Sequence, residues 1–413
     1  MGTATDDKDH ESKDRKVRDA IQYAYSKSEA VRRRFDRAGV DLAKIKGVKD
    51  LVRLPTLTKE DLIQEQKADP PFGGFLTVPL DEIGWIFVSP GPVYVPLPDV
   101  GTTARIFSTH GFGKGDIVLN SFSYHFVVAG LVFDQALRSL GVTVIPGGPG
   151  NVELQLQVVR ELGVTGYVGT GSFLMMLMDQ ADKLRYDVRK DLRLKKASVT
   201  GEMLAPALAR RLEKDYGISV RQCYGLAEIG AVGYECSARQ GFHVNDGWVI
   251  VEIVDPETGR QMAAGEVGEV VVTCFSTRFP LVRFKTGDLS SYMDEPCSCG
   301  DMSPRLRAVL GRIGQAVKVR GLFLHPKQLD EAARRIAQID GVQAIVSREG
   351  VRDKLRILAV LKDGGINEDG RKKVEEELKT GIRELCKLKV DQVDFVDALP
   401  SDAPRIDDKR QWR

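Results

Sequence analysis

Asp116-Ile117-Val118-Leu119-Asn120 is a short apolar run, and Val142-Thr143-Val144-Ile145-Pro146, ending in Gly147-Gly148-Pro149-Gly150, is another. Between them residues 127–140 carry apolar side chains at helical spacing. The order then repeats: a helix over 154–162, a strand over 165–168 and a helix over 173–184. Upstream, the apolar run 83–88 closes on Ser89-Pro90-Gly91-Pro92. Strand, glycine turn and helix in alternation predict an α/β fold built on parallel sheet covered by helices. Ligands of such folds sit beyond the carboxyl ends of the strands, where these glycine turns fall.

The flanks read differently. Residues 1–14 are charged and expected to fray, and a helix is expected over 15–35, where Arg32-Arg33-Arg34 forms a solvated face. Leu54-Pro55-Thr56-Leu57-Thr58 breaks the chain, and Thr58 with Asp61 predicts a capped helix over 59–67. After Cys236 the runs 248–254 and 269–274 are β-rich around a turn at 256–259, which predicts an antiparallel subdomain over about 236–310. The last hundred residues predict a small ferredoxin-like α+β unit. It has a helix over 327–339, strands over 343–347 and 354–361, a helix over 368–388 with Val374, Leu378, Ile382 and Leu385 on one face, and a strand over 393–396. The domain expectation is 1–311 and a mobile unit over 312–413.

Composition excludes several function classes. Among 413 residues, 60 Lys+Arg stand against 58 Asp+Glu, so no global field draws the chain to nucleic acid or acidic lipid. Asp6, Asp7, Lys8, Asp9 and Glu11 after Met1 argue against a signal peptide, so none is expected, and no stretch approaches 18 uninterrupted apolar residues. Six cysteines in this length suit reduced thiols, and the expected compartment is the cytoplasm.

Gln222-Cys223-Tyr224-Gly225-Leu226-Ala227-Glu228 is weak alone. It gains force from Thr286-Gly287-Asp288-Leu289 and from Gly311-Arg312 followed by Val317-Lys318-Val319-Arg320-Gly321. In this order the segments resemble the core motifs of adenylate-forming enzymes, the acyl-CoA synthetase superfamily. Leu54-Pro55-Thr56-Leu57-Thr58-Lys59-Glu60-Asp61-Leu62 and Cys297-Ser298-Cys299-Gly300 narrow the resemblance to the phenylacetate–CoA ligase branch. The resemblance implies a large N-terminal adenylate-forming domain and a small C-terminal one. It also implies an acid–CoA ligase that uses ATP through an acyl-adenylate, with Mg²⁺ and coenzyme A, an aryl or short acyl acid as substrate, and room for a homodimer.

Residue by residue, the resemblance makes Tyr224, with Gly225 beside it, the aromatic that packs on adenine and Glu228 the carboxylate that holds Mg²⁺. Asp288 becomes the ribose carboxylate, and Arg312 the arginine that also reaches the ribose. Thr200-Gly201-Glu202 corresponds to the turn cupping adenine, and Tyr124-His125 to the aromatic wall of the acyl pocket. His325 would face the site after rotation of the C-terminal domain.

Three positions depart from the family pattern. The phosphate loop aligns with Ser89-Pro90-Gly91-Pro92-Val93-Tyr94-Val95-Pro96, where three prolines remove three N–H donors and Val93 and Tyr94 replace small hydroxyl residues. The hinge aspartate is Gly314, and the C-terminal lysine is replaced at Pro404, which leaves the adjacent Arg405 as the expected catalytic cation and Lys409 as the runner-up. Two rival readings follow: an adenylate-binding enzyme with an altered or lost adenylation half-reaction, and a non-catalytic nucleotide or acyl-CoA sensor. Finally, Cys236, His243, Cys297 and Cys299 make a Cys₃His set, the composition of a structural zinc site, and some members of the branch carry zinc at matching positions. Cys223, Cys274 and Cys386 read as small buried apolar groups.

Overall fold

The computed structural model describes residues 4–89, 91–256, 258–266, 268–307, 309, 311–313, 317–320, 322–324, 326–350, 352–362, 367–386, 388–400 and 404–410. The chain divides into two compact units. The first comprises Met1–Gly169, Met176–Thr200 and Leu212–Gly311; the second comprises Thr170–Met175, Gly201–Arg211 and Arg312–Arg413.

The N-terminal segment departs from expectation twice. Helix starts at Ala4, within the stretch expected to fray, and two contacts tie its later turns down: Lys13 Nζ pairs with Asp246 at 2.6 Å, and Asp14 Oδ1 accepts the Val48 N–H at 2.8 Å. The single helix expected over 15–35 is two, Ala4–Lys27 and Glu29–Arg37. Ser28 divides them because its hydroxyl accepts the Val31 N–H at 3.3 Å and so caps a new helix. The helix Lys59–Ala68 opens on the expected capping box: Thr58 Oγ1 accepts the Asp61 N–H and Asp61 Oδ2 accepts the Thr58 N–H, both at 3.0 Å.

Strands β1 (Ile86–Ser89) and β2 (Val93–Pro96) form an antiparallel hairpin. The strands that follow are β3 (Ile117–Asn120), β4 (Thr143–Pro146), β5 (Gly166–Gly169), β6 (Lys196–Val199), β7 (Ser219–Leu226), β8 (Gly230–Glu235) and β9 (Phe242–Val244). After them come β10 (Val249–Val254), β11 (Gly268–Cys274), β12 (Phe284–Ser290), β13 (Tyr292–Met293), β14 (Arg305–Leu306) and β15 (Gly311–Arg312).

The main sheet has nine strands in the order β13-β14-β9-β8-β7-β6-β5-β3-β4. Its β7-β6-β5-β3-β4 half is parallel, as the alternation predicts. The chain leaves β3 outward to β4 and returns on the other side to β5, which makes a topological switch point between β3 and β5. The stretch expected as one β subdomain is shared between two sheets. Strands β9, β13 and β14 extend the main sheet antiparallel, while β10-β11-β12-β15 forms a sheet of its own. A β-rich apolar run reports a strand but not the sheet it joins. Every residue of β10 and β11 is buried, so both faces of that sheet are covered.

In the second unit a short hairpin, β16 (Val317–Val319) with β17 (Leu322–Leu324), precedes a four-stranded sheet. Strands β18 (Ile339–Glu349) and β19 (Arg352–Leu361) pair antiparallel, flanked by β20 (Gln392–Val396) and β21 (Ile406–Asp408). Helices Pro326–Arg334 and Glu368–Cys386 supply Leu329, Val374, Leu378 and Ile382 to the core over Ala344, Val346 and Ile357. The first helix is shorter than expected because Ile339 opens β18 rather than closing a helix. Strand β21 was not foreseen; its three residues lie in the last loop. Among the described residues no helix is long and apolar enough to cross a membrane.

Candidate active site and metal centre

Strand β7 carries Tyr224-Gly225-Leu226 to the carboxyl edge of the parallel sheet. A register shift against β8 falls between Tyr224 and Gly225, and a Cβ on Gly225 would lie 3.0 Å from the Gly230 carbonyl. Glycine therefore lets the turn close on itself. Tyr224 is buried, and its hydroxyl donates to Asp288 Oδ2 at 2.8 Å, so two residues 64 apart in sequence meet. Asp288 is aimed by its own strand: Gly287 has φ +74°, Asp288 N–H donates to Thr286 Oγ1 at 3.0 Å, and that hydroxyl donates to the Val270 carbonyl at 2.9 Å.

Glu228 follows on the same turn. Its Oε1 accepts Ser89 Oγ at 2.9 Å and faces Lys59 Nζ at 2.8 Å. The Glu228 side chain is 4% exposed and that of Lys59 35%. Burial pushes the Glu228 carboxyl up, but the Lys59 charge and hydrogen bond, with the Ser89 hydroxyl, outweigh it and hold the group below its usual range. Neither Lys59 nor Ser89 is a site residue in the sequence reading. Lys59 lay inside the quoted segment 54–62, where only its neighbours Thr58 and Asp61 carry a readable cap signal.

The remaining predicted residues are less gathered. Thr200 stays with the first unit and donates its N–H to the Gly169 carbonyl at 3.1 Å. Gly201 and Glu202 cluster with the second unit, where Glu202 accepts the Ser172 N–H at 2.6 Å and the Ser172 hydroxyl at 3.0 Å. That carboxylate works as a helix cap. Tyr124 is half-buried with its hydroxyl 2.9 Å from Asn120 Nδ2; burial raises its pKa above the usual range, and His125 beside it is exposed. Gly130 makes this loop possible, because a Cβ there would meet the Ser123 carbonyl at 2.4 Å.

Arg312 is exposed on β15. Arg405 pairs with Asp330 at 2.6 Å, and both line a cavity of about 260 Å³ with Arg334, Ile339 and Asp340. Pro404 offers its carbonyl to Gln343 Nε2 at 2.9 Å. The hinge Gly314 and His325 lie outside the described residues. His110, left unassigned in the sequence, is buried between Ser198 Oγ (2.9 Å) and the Glu235 carbonyl (3.1 Å), and burial pushes its pKa down to about 3.

A second constellation occupies the antiparallel end of the main sheet. Cys236 follows β8, His243 lies on β9, and Cys297 and Cys299 lie in the loop from β13 to β14. Register carries them together: Arg305 of β14 pairs with His243, so the loop is anchored beside its imidazole partner. All four ligand atoms lie within 4.8 Å of one another, with Cys236 Sγ–Cys297 Sγ at 3.6 Å and Cys299 Sγ–His243 Nε2 at 3.4 Å. Tetrahedral zinc, at about 2.3 Å from sulfur and about 2.0 Å from nitrogen, implies edges of roughly 3.5–3.8 Å, which these two separations approach.

The surroundings suit a metal as well. The N–H groups of Ala238 and Asp301 point at Cys236 Sγ (3.3 Å) and Cys299 Sγ (3.4 Å), and His243 Nδ1 is 3.0 Å from Ser303 Oγ, the orienting contact metal-bound imidazoles have. Burial pushes the Cys297 thiol up, yet the Cys299 N–H, His243 and the other thiols outweigh it and hold it below its usual range.

A family model described as AMP-binding enzyme matches residues 100–274, the stretch that holds the parallel strands and Glu228. Within that class the chain resembles the phenylacetate–CoA ligases, as the motifs indicated. It is 29% identical to phenylacetate-coenzyme A ligase of Thermus thermophilus over 385 residues, spanning 89% of this chain and 85% of the relative. It is also 29% identical to that of Pseudomonas putida over 400 residues, spanning 93% and 89%. Among solved structures, 2-hydroxyisobutyryl-CoA ligase in complex with 2-HIB-AMP and CoA shares the fold, with a TM-score of 0.88 and 22% identity over 99% of this chain and 91% of that one. The amide bond synthetase McbA from Marinactinospora thermotolerans shares it more distantly, with a TM-score of 0.58 and 16% identity over 76% and 65%.

Proposed function

We propose that this chain is an AMP-forming acid–CoA ligase. The carrying observation is the pair of buried carboxylates, Asp288 on the Tyr224 hydroxyl and Glu228 on the Lys59 ammonium, at the carboxyl edge of the sheet in an AMP-binding enzyme. In the first half-reaction an oxygen of the acid attacks the α-phosphorus of ATP. The new O–P bond forms as the α–β P–O bond breaks, and pyrophosphate leaves with the electron pair. In the second, the sulfur of coenzyme A attacks the acyl carbon and AMP leaves.

Tyr224 offers its ring to adenine. Asp288, a bidentate acceptor, suits the two vicinal hydroxyls of ribose, with Arg312 as a further ribose contact. Since Glu202 already serves Ser172, residues 200–201 would meet adenine through their backbone. Tyr124 and His125 would wall the acyl pocket. Mg²⁺ is usually held by one or two carboxylates plus substrate phosphates, and Glu228 keeps a second oxygen beside the one facing Lys59 and Ser89, so the donors fit. Bound there, the ion would neutralise phosphate charge.

Residues 312–413 act as the mobile domain hinged at Gly314, and Arg405 is the cation that domain brings to the α-phosphate. Its pairing with Asp330 must then exchange, so Asp330→Asn should speed adenylation where Arg405→Ala slows it. Cys236, His243, Cys297 and Cys299 hold structural zinc, and the enzyme works in the cytoplasm, as a homodimer.

The altered hairpin and the missing lysine favour one second reading, an enzyme that has lost adenylation and consumes preformed acyl-adenylate. ATP–pyrophosphate exchange over a panel of aryl and short-chain acids, followed by thioester detection, decides. Exchange with any acid supports the ligase; thioester from supplied acyl-adenylate without exchange supports the second reading; neither activity leaves a nucleotide or acyl-CoA sensor.

A further inference from the structure

The hairpin aligned with the phosphate loop has no room for that loop's usual work. Its backbone is engaged in strand pairing, with Val88 opposite Tyr94 and Ser89 opposite Val93. The outer strand is then claimed from the side by the helix Lys59–Ala68. Gln66, buried at 3% exposure, accepts the Tyr94 N–H at 2.9 Å and donates to the Tyr94 carbonyl at 2.7 Å. One side-chain amide thus serves as an extra rung beside β2 and joins helix to hairpin.

Seven residues earlier, two turns along the same helix, stands Lys59. Everything around it is fixed. The capping box sets the first turn, and Leu57 exchanges backbone bonds with β12, its N–H to the Arg283 carbonyl at 3.0 Å and its carbonyl from Lys285 N–H at 2.8 Å. That strand also carries Asp288. At the hairpin tip a Cβ on Gly91 would lie 2.8 Å from Lys59 Cε, so the glycine packs closely on the lysine stem.

An ammonium has three N–H donors. Among the described residues Glu228 is the partner of this one, and a third of the side chain remains open to solvent. The buried carboxylate holds a partly open cation in place, so little reorganisation is needed when a phosphate arrives.

Resting on the ligase reading above, we propose that the helix Lys59–Ala68 is the phosphate-handling element of this enzyme, with Lys59 as the cation that meets the nucleotide phosphates and Gln66 as the residue that positions it. The N–H groups that proline removes from residues 89–96, and the small hydroxyls that Val93 and Tyr94 displace, are replaced by one charge presented from the helix Lys59–Ala68. Glu228 keeps Lys59 from swinging into solvent, and Gln66 keeps the glycine tip over its stem.

The test is calorimetric titration of the full chain with ATP and with adenosine, at fixed Mg²⁺ and two ionic strengths. Lys59→Met should weaken ATP binding by about tenfold or more while adenosine binding stays within twofold, and the salt dependence of ATP binding should flatten. Pyrophosphate exchange should fall by about two orders of magnitude. Gln66→Leu should lower the ATP-to-adenosine preference in the same direction by a few-fold, which loss of packing alone would not do.

Equal weakening of both ligands in Lys59→Met, or an unchanged preference, overturns the proposal. So does a wild-type protein that binds ATP no more tightly than adenosine. If wild-type protein shows Lys59-dependent ATP preference yet no exchange with any acid, the phosphate role stands and the adenylation reading falls. Binding of neither ligand overturns both.

Discussion

Strand β8 is six residues long, and its two ends carry opposite kinds of site. Glu228 lies just before it and Cys236 just after. At the first end a buried carboxylate is partnered by an ammonium 35% exposed, a polar contact that a ligand can reach and share. At the other end His243 is fully buried, its Nδ1 is engaged by Ser303, and its Nε2 faces Cys299 within a set of donors that close on one another. The first arrangement leaves hydrogen-bonding capacity for something that comes and goes. The second turns its donors on one another, as the ligands of a structural zinc site would. One strand therefore links a polar contact partly open to solvent with a cluster of donors that face one another.

Metal removal gives the largest expected effect. Zinc in such a site contributes about 10–16 kcal/mol of apparent binding free energy, which here would knit β9, β13 and β14 to the sheet edge. Purified protein should carry about one zinc per chain. Chelation should lower the melting temperature to that of Cys297→Ser and leave the variant itself unchanged. A metal-free protein with full thermal stability would erase the contrast between the two ends of β8.

At the other end, Glu228→Gln removes the carboxylate but keeps its shape. Exchange should fall by roughly two orders of magnitude, since charge stabilisation by a bound metal is worth several kcal/mol, while AMP binding and the melting temperature move little. A large stability loss with intact exchange would make Glu228 structural, like its counterpart across β8. Smaller still is Asp288→Ala, which should cost about 1.5–3 kcal/mol of AMP affinity, as charge-assisted hydrogen bonds do. Calorimetry showing unchanged affinity would break the ribose role.

The smallest effect concerns acid. The folded-state pKa of Glu228 lies below its ordinary 4.5, so the stability it contributes is fully present above that value and lost as the pH falls below it. Lys59→Met removes the largest lowering influence and leaves burial to raise the group. Its urea midpoint should therefore rise as the pH falls through the raised pKa, whereas the wild-type midpoint drops below pH 4.5. Parallel acid profiles for the two proteins would mean that Lys59 and Glu228 are not coupled.

Much of this was written locally. The alternation from Asp116 onward specified the parallel sheet because strand and helix periods are properties of neighbouring residues, and Thr58 with Asp61 announced a helix start for the same reason. The four zinc-type ligands were legible as residue types, and the Tyr224, Glu228 and Asp288 motifs as a family pattern. Other features were beyond reach of any local rule. Ser28 splits a helix because its hydroxyl, rather than the periodicity, decides where N–H groups go. Whether β9 and β10 share a sheet depends on partners, and every residue of both is buried.

Lys59 was invisible as a site residue for the deepest reason. Its meaning comes from a carboxylate 169 positions later and a hydroxyl 30 positions later, and sequence spacing carries no information about contacts of that span. The chain by itself determined which segments would be helix or strand and which residue types were available for chemistry. Only the tertiary structure decided which cation faces which carboxylate, because burial forbids an unpartnered charge and folding alone selects the partner.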